Sequence, residues 1–449
     1  MARTGLILLL LATTVLASPA DSLTGVDMRA EHAARRQAVA DLLGEGILVL
    51  FAAPQRGYGD YRPEPNLFWL TGVDSPNIAL VMRMEAPEAT DRARRARVLA
   101  DRIDVTISRL RRAARGLRGI DRDDDLREDL DRARRARDEA LRFYAAERGP
   151  IRLTTWLHAP GGGPMPAARW TKNLVAPDAR ELTGIENIGS LRQLRGRSES
   201  TVPDESRFFT LLRTSPTEFE RKWLDRAAEG AFRHYADSAL AQARHVKSAE
   251  EIARLRRACE LTAEGLVDCM KTARPGVFEY ELQAHLEFTC RRGGARRQAF
   301  ASIVGSGPNS VILHYSRNDR KTEDGDLVLM DVGAEFRGYA SDVTRTFPVN
   351  GKFTERQAEL YDIVLAAQRA GIAAIRPGVE AKEVAAAARA VITKAGYGKS
   401  LPHSICHYVG LDVHDPAGGS LLEPGVVLTV EPGIYLADEG IGIRIEDTV

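Results

Sequence analysis

Three acidic residues in the last third of the chain end short apolar runs, where a β-strand would carry them into the interior. Asp331 follows four consecutive apolar residues, Glu431 follows Val426–Val430, and Glu446 follows Ile445. A charge that is removed from water without a partner is costly. Each of these carboxylates therefore needs a partner, and metal ions are strong candidates.

Two further residues complete a set that can bind two divalent cations. Asp342 lies eleven residues after Asp331 with Gly338 between them, which predicts two strands joined by a tight turn that brings both carboxylates together. Four carboxylates and one imidazole can hold two ions because carboxylates bridge. This oxygen-rich set favours hard cations such as Mn²⁺, with Co²⁺ or Zn²⁺ as alternatives. The predicted metal ligands are Asp331, Asp342, His407, Glu431 and Glu446.

The sequence ahead of these residues predicts another domain, as expected for a chain of 449 residues. Residues 21–215 are predicted to form an α/β domain that begins with a helix over Ala33–Leu43. Two apolar runs, Ile47–Phe51 and Ile78–Met82, indicate buried strands. A connecting helix is predicted over residues 216–246.

The second domain is predicted over residues 247–449, and a capping box formed by Ser248 and Glu251 marks the start of its first helix.

Residues 89–148 of the first domain are dense in Arg and Asp but keep apolar residues at helical spacing, which predicts two exposed helices whose surfaces carry many ion pairs. A nucleic-acid-binding patch is the alternative. The interleaved acids and the net charge of +1 argue against nucleic acid as a partner.

Residues 1–20 have the features of a signal peptide. Arg3 precedes an apolar run from Leu6 to Ala17, and small residues follow the run. The run is shorter than the roughly 20 residues that span a bilayer. We therefore expect an exported protein, periplasmic or secreted, without stable membrane insertion. An uncleaved membrane anchor is the alternative.

The cysteines show no spacing typical of a disulfide framework or a zinc site, although an exported chain could pair them. Cys406 adjoins His407, so it could be a soft metal ligand or a small buried thiol. The buried thiol is the favoured interpretation, because the five-residue ligand set is already complete and hard. The cysteines are Cys259, Cys269, Cys290 and Cys406.

Eight blocks of residues occur in order and carry a family resemblance. These blocks are Ser302–Gly307, Leu313–Tyr315, Asp324–Asp331, Tyr339–Pro348, His403–His407, Gly410–Asp415, Glu431–Tyr435 and Gly442–Asp447. Together they resemble the M24 "pita-bread" metallopeptidases, and within them the aminopeptidase P (Xaa-Pro aminopeptidase) group first and prolidase second. The resemblance is strong from Lys247 to Val449 and weaker ahead of it, where Asn66–Gly72 is similar to a segment of aminopeptidase P N-terminal domains.

The resemblance implies an α+β fold. A C-terminal pita-bread domain, with a curved antiparallel sheet backed by helices and metals on its concave face, would follow an α/β N-terminal domain. The resemblance also implies how the ligands divide between the ions. Asp331 would bind one ion, His407 and Glu431 the other, and Asp342 and Glu446 would bridge.

The resemblance further implies catalytic roles. Glu431 would take the proton of a water molecule in addition to binding metal. His403 and His414 would donate to the substrate or intermediate, and His314 would belong to the pocket for proline. Arg444 would buttress the carboxylates. The alternatives are core histidines with satisfied hydrogen bonds and an ordinary surface ion pair for the arginine.

The implied activity is hydrolysis of the N-terminal Xaa-Pro bond of peptides by a hydroxide that two metal ions activate. The implied partners are peptides with proline at the second position and further copies of the chain, in a dimer or tetramer. The alternatives are an Xaa-Pro dipeptidase (prolidase), less so a methionine aminopeptidase, and a non-catalytic pita-bread binding protein. Members of this family usually continue for another strand or more past the position of Val449, so the resemblance leads us to expect a longer chain.

Overall fold

The computed structural model describes the chain from Ser22 onwards, with gaps in the first half. The predicted signal peptide, residues 1–20, lies outside the described residues. No helix in the described part is long and apolar enough to cross a membrane. The described residues are 22–52, 63–74, 78–86, 88–116, 124–159, 183, 185–190, 207–210, 223 and 232–449.

A six-stranded mixed sheet lies at the centre of the N-terminal half. Its strands are β1 Gly46–Phe51, β2 Ala79–Glu85, β3 Arg152–Ala159, β4 Asn187–Ser190, β5 Arg207–Thr210 and β6 Phe232–Tyr235. They lie in the order β4-β3-β2-β1-β5-β6. The pairs β1–β2 and β2–β3 are antiparallel and the other three are parallel. Every residue of β1 is buried, which confirms the buried strand predicted there.

The described helices of this half are α1 Met28–Leu43, α2 Pro65–Thr71, α3 Asp91–Gly116, α4 Asp124–Glu147 and α5 Asp237–His245. Helix α1 starts before the predicted Ala33, because the Asp27 carboxylate caps it by accepting a hydrogen bond from the Arg29 N–H. Helices α3 and α4 pack against each other in the connection between β2 and β3. They confirm the two charged helices predicted over residues 89–148.

The predicted connecting helix over residues 216–246 is wrong in its last part. Residues Phe232–Tyr235 form β6, which pairs in parallel with β5, and only Asp237–His245 is helical. Pairing with the edge of the sheet outweighs local helix propensity here, as tertiary context commonly does. Apart from Trp223, residues 216–231 lie outside the described part.

Helices and antiparallel strands make up the second half. The helices are α6 Ala249–Thr272, α7 Glu279–Arg292, α8 Glu355–Ala374 and α9 Ala381–Lys394. Helix α6 begins at the predicted capping box, in which the Ser248 N–H donates to the Glu251 carboxylate at 2.9 Å and the Glu251 N–H donates to the Ser248 hydroxyl. The strands are β7 Arg297–Gln298, β8 Ile303–Ser306, β9 Leu327–Val332, β10 Ala334–Phe336, β11 Tyr339–Ala340, β12 Val343–Pro348, β13 Thr429–Val430, β14 Gly433–Leu436, β15 Ile441–Arg444 and β16 Asp447–Thr448.

A long hairpin joins the first two predicted ligands. Strands β9 and β12 pair antiparallel with Asp331 opposite Thr344, and β10 and β11 extend the hairpin to a turn at Gly338. Gly338 has φ 88°, and a Cβ there would lie 2.5 Å from the Phe68 ring. Glycine is therefore required by both backbone conformation and packing. This confirms the tight turn predicted between Asp331 and Asp342.

Apolar packing joins this hairpin to the N-terminal half. One core cluster contains Leu50 and Leu70 of the first half together with Tyr339 and Val409 of the second. A second cluster lies between helices α6 and α7 and strands β8, β9 and β12, and a third packs α8 and α9 on β13, β14 and β15. The turn that leads to Asp342 is thus held between the two halves of the molecule.

Candidate metal centre and active site

A cavity of about 620 Å³ brings together all the residues that the sequence analysis assigned to the site. Its apolar wall includes Phe300, Leu313 and Val413. The predicted site residues that line it are Asp331, Asp342, His407, Glu431, Glu446, His403, His414, His314 and Arg444.

Strand pairing explains why the acidic residues converge. Asp331 lies on β9 opposite Thr344 of β12, and Thr344 in turn bridges Glu446 on the far side. The Thr344 hydroxyl donates to Glu446 Oε2 at 2.6 Å. Glu431 follows β13, and its N–H donates to the carbonyl of Ile405 at 2.9 Å. Residues separated by more than one hundred positions thus reach one cavity through neighbouring strands.

The single predicted histidine ligand lies among these carboxylates. His407 Nε2 is 3.4 Å from Asp342 Oδ2 and 3.5 Å from Glu431 Oε1. Asp342, His407 and Glu446 each offer one ligand atom, and these atoms all lie within 4.8 Å of one another. Such spacing allows a common cation to contact all three.

The carboxylates of the site are buried and repel one another. Burial, followed by the charges of Glu446, Asp331 and Glu431, raises the pKa of Asp342. Burial and the same kind of repulsion raise the pKa of Glu446, and they raise the pKa of Glu431 to about 8. The Oδ1 atoms of Asp331 and Asp342 are buried and have no hydrogen-bond partner among the described residues. Unpartnered carboxylate oxygens next to an imidazole fit divalent metal ions.

Arg444 links this cluster to a histidine through a tyrosine. Its Nη2 donates to Asp331 Oδ2 at 2.6 Å and its Nη1 donates to the Tyr435 hydroxyl at 2.6 Å. His403 Nε2 lies 2.9 Å from the same hydroxyl. Burial raises the pKa of Tyr435 to about 12, so the hydroxyl keeps its proton at neutral pH. Arg444 is therefore a buried partner of the site, and the surface ion pair is excluded.

The two remaining neighbouring histidines form a stacked pair. The rings of His407 and His414 lie 4.0 Å apart at 9°. Burial, followed by the proximity of His414, lowers the pKa of His407 to about 4. Burial also lowers the pKa of His403 to about 4. Both imidazoles are neutral at pH 7, the form in which imidazole binds metal or shares a hydrogen bond.

Sequence patterns assign no role to two residues that contact the predicted site residues. Tyr435 and Thr344 both lie inside the family-like blocks, which was the available signal, but neither carries a carboxylate or an imidazole, the groups that marked the predicted ligands. Cys406 lines the cavity, and burial raises its pKa to about 12. A protonated, half-buried thiol matches the favoured interpretation of this residue. The four cysteines are all free.

Comparison with known proteins agrees with this geometry. Residues 253–449 match metallopeptidase family M24, and residues 32–99 match the aminopeptidase P N-terminal domain. Residues 253–449 therefore form an M24 metallopeptidase domain, and the match to this family implies divalent metal ions. The expected fold class, an N-terminal domain followed by a pita-bread domain, is confirmed.

The individual relatives include Xaa-Pro aminopeptidases and Xaa-Pro dipeptidases. The chain is 44% identical over 234 residues to Xaa-Pro aminopeptidase of Escherichia coli (strain K12), a match that covers 45% of this chain and 53% of the relative. It is 39% identical over 218 residues to Xaa-Pro dipeptidase of Pyrococcus furiosus, covering 47% of this chain and 62% of the relative. The chain thus spans somewhat more than half the length of these curated relatives.

Solved structures of aminopeptidase P have the same fold over nearly the whole chain. Aminopeptidase P from E. coli with the inhibitor Pro-Leu superposes with a TM-score of 0.72 at 27% identity, covering 94% of this chain and 92% of that one. Proline aminopeptidase P II from Yersinia pestis has a TM-score of 0.73 at 28% identity, covering 94% and 93%.

Proposed function

We propose that this chain is a metal-dependent aminopeptidase that hydrolyses the N-terminal Xaa-Pro bond of peptides. The observation that carries the proposal is the cavity in which four carboxylates and His407 converge. Two of the carboxylate oxygens there, on Asp331 and Asp342, are buried and have no hydrogen-bond partner in the described part of the chain. The relatives named Xaa-Pro aminopeptidase and aminopeptidase P support the reaction and the substrate class.

We infer that Asp331, Asp342, His407, Glu431 and Glu446 hold two divalent cations, with Mn²⁺ the best match to an oxygen-rich set. When bound, such ions would act as Lewis acids that acidify a water molecule and polarise the scissile carbonyl. Their charge would also relieve the repulsion that raises the pKa values of Asp342, Glu431 and Glu446 in the metal-free protein.

The chain's own residues would move protons and stabilise charge. Glu431 would accept the proton of the water molecule, because its carboxylate lines the cavity beside the other predicted ligands. Two histidines would donate to the oxygen on which negative charge develops: His403, whose Nε2 lies 2.9 Å from the Tyr435 hydroxyl, and His414, whose ring stacks on His407. Arg444 holds Asp331 in place through its 2.6 Å hydrogen bond.

An Xaa-Pro bond lacks the N–H that ordinary peptidases recognise. A site for it must hold the ring instead. The apolar side of the cavity, formed by Phe300, Leu313 and Val413 beside His314, offers such a surface. We assign the proline ring to this side.

An Xaa-Pro dipeptidase is the second candidate, supported by the relative from P. furiosus. A dipeptidase must also capture the proline carboxylate, and an arginine does this well. Among the described residues that line the cavity, Arg444 is the arginine present, and both of its Nη atoms are engaged by Asp331 and Tyr435. This arrangement favours the aminopeptidase.

Comparison of Gly-Pro with Gly-Pro-Ala tests the proposal. We expect cleavage of Gly-Pro-Ala and longer Xaa-Pro peptides with release of one free N-terminal residue. N-acetylation should block the reaction, and Xaa-Ala peptides should be poor substrates. A strong preference for the dipeptide Gly-Pro would identify a prolidase, and failure to cleave any of these peptides in the Mn²⁺-loaded protein would favour the non-catalytic binding protein.

We further propose that the chain is exported to the periplasm or secreted and that it forms a dimer or tetramer. The basic, apolar and small-residue pattern over residues 1–20 supports export. N-terminal sequencing of the exported protein should begin near Asp21. Soluble cytoplasmic protein that retains Met1 would contradict export, and light scattering of a monomer would contradict assembly.

A further inference from the structure

The loop between the two stacked histidines is closed by its own backbone. The Asp415 N–H donates to the carbonyl of Tyr408 at 2.8 Å. His407 and His414 each directly precede one member of this bridged pair, so the hydrogen bond brings the two imidazoles side by side. The Gly410 N–H donates to the carbonyl of Asp412 at 3.0 Å and tightens the loop further. The stacking of the two rings is therefore a consequence of the loop conformation.

The carboxylate of Asp415 fills the inside of this loop. It accepts hydrogen bonds from the Asp412 N–H at 3.3 Å and from Lys247 Nζ at 3.3 Å, and its side chain is 1% exposed. A Cβ at Gly410 would lie 2.6 Å from the Asp415 Oδ2 atom, so the loop has no room for a side chain there. Any displacement of this carboxylate would displace the loop backbone with it.

Arg244, at the end of α5, holds the same carboxylate from outside the loop. Its Nη2 donates to Asp415 Oδ1 and, at 2.9 Å, to Asp412 Oδ2. Its Nη1 donates to the Asn66 side-chain oxygen at 2.8 Å, and Asn66 belongs to α2 of the N-terminal half. The side chain of Arg244 is 4% exposed. One guanidinium therefore connects the N-terminal half to two carboxylates of the histidine loop.

We propose that Arg244 is a positioning residue for the metal centre. It does not line the cavity and acts through Asp415 on the loop that carries His407 and His414. The planar guanidinium matches this task, because it can donate to several acceptors in fixed directions at once, which an ammonium cannot. The inference rests on the proposed function for its effect on turnover, while its effect on metal binding is independent of the substrate.

Arg244→Lys tests the proposal against Arg148→Lys as the matched control. Arg148 is also buried, at 6% exposed, and its guanidinium also serves several acceptors, donating to the carbonyls of Gly149 and Asp41 far from the cavity. Residues that orient a metal ligand typically contribute about 10–100-fold in metal affinity or activity. We therefore expect Arg244→Lys to bind Mn²⁺ about 10–100-fold more weakly in calorimetric titration of the metal-free protein. Its kcat on Gly-Pro-Ala should fall with little change in KM.

Melting temperatures separate positioning from general destabilisation. Arg148→Lys should lose comparable thermal stability yet keep Mn²⁺ affinity and kcat. If both variants bind Mn²⁺ as the parent does, the proposal is overturned. If the parent binds Mn²⁺ but cleaves no Xaa-Pro peptide, the proposed function fails while the calorimetric comparison still decides the role of Arg244.

Asp412→Asn provides a second variant should Arg244→Lys not fold. The Asp412 side chain is 32% exposed, so the change removes charge from one acceptor of the guanidinium without burying an unpaired group. We expect a smaller loss of Mn²⁺ affinity in the same direction. Unchanged affinity in a soluble Asp412→Asn protein would contradict the proposal.

Discussion

At the scale of single residues, Asp342 shows the physical conflict on which the site depends. It is 5% exposed, and its Oδ1 has no hydrogen-bond partner among the described residues. Burial, followed by the neighbouring carboxylates, raises its pKa. A buried carboxylate in such surroundings is stabilised either by a proton or by a cation. The neighbouring His407, neutral at pH 7, is suited to share a metal ion with it.

Asp342→Asn should remove most metal and nearly all activity. A neutral amide bridges two cations poorly, and the loss of Lewis-acid stabilisation worth several kcal/mol predicts a fall of at least about a thousandfold in kcat/KM. Metal analysis and a Gly-Pro-Ala assay measure both effects. Asp362→Asn, an exposed change on α8, is the control and should leave both unchanged. Near-full metal content and rate in Asp342→Asn would show that the ligand assignment is wrong.

At the scale of elements, the first turn of α6 connects distant parts of the chain. The Glu250 carboxylate accepts hydrogen bonds from the N–H groups of Leu23 and Thr24 and from the hydroxyls of Ser22 and Thr24. It also pairs with Arg254 at 2.8 Å, and both side chains are buried. The segment that would follow a removed signal peptide is therefore anchored to the second half of the molecule.

Glu250→Ala should destabilise the fold by about 3–5 kcal/mol, because it removes the carboxylate that pairs with the buried Arg254 and that holds the segment from Ser22 to Thr24. Urea unfolding measures the change. Glu264→Ala, which removes a 52% exposed carboxylate from Arg257 on the same helix, is the control and should cost about 0–1 kcal/mol. Equal losses in the two variants would show that the anchor contributes no more than a surface ion pair.

At the scale of the whole molecule, the carboxylate cluster makes stability depend on pH and on metal. In the metal-free protein the raised pKa values of Asp342, Glu431 and Glu446 mean that the folded state binds more protons than the unfolded state. Stability from these groups is present at low pH and is lost as pH rises. The lowered pKa values of His403 and His407 act in the opposite direction, but only below their ordinary value of 6.5.

We therefore expect the melting temperature of the metal-free protein to fall between pH 6.5 and pH 8, where Glu431 loses its proton. Glu431→Gln, which cannot titrate, should flatten this dependence. Mn²⁺ should reverse it, because metal binding requires deprotonated carboxylates and stabilises the fold more as pH rises. A metal-free melting temperature that rises over this range would contradict the electrostatics of the site.

The sequence by itself determined those features that depend on neighbours along the chain. The capping box of Ser248 and Glu251 needs only one helical turn, and the turn at Gly338 needs only a short hairpin. Acidic residues at the ends of apolar runs marked the candidate ligands, because a buried charge requires a partner wherever the strand lies. The family-like blocks then implied the fold class.

The tertiary structure alone decided what depends on distant residues. Residues 232–235 became a strand because β5 offered an unpaired edge. Separate elements pack together to form the series of hydrogen bonds that runs from Asp331 through Arg444 and Tyr435 to His403. The contact of Arg244 with Asp415, 171 positions apart, arises in the same way. Local sequence patterns carry no information about such contacts, since the free energy that fixes them comes from burial and pairing of groups that meet only in the folded chain.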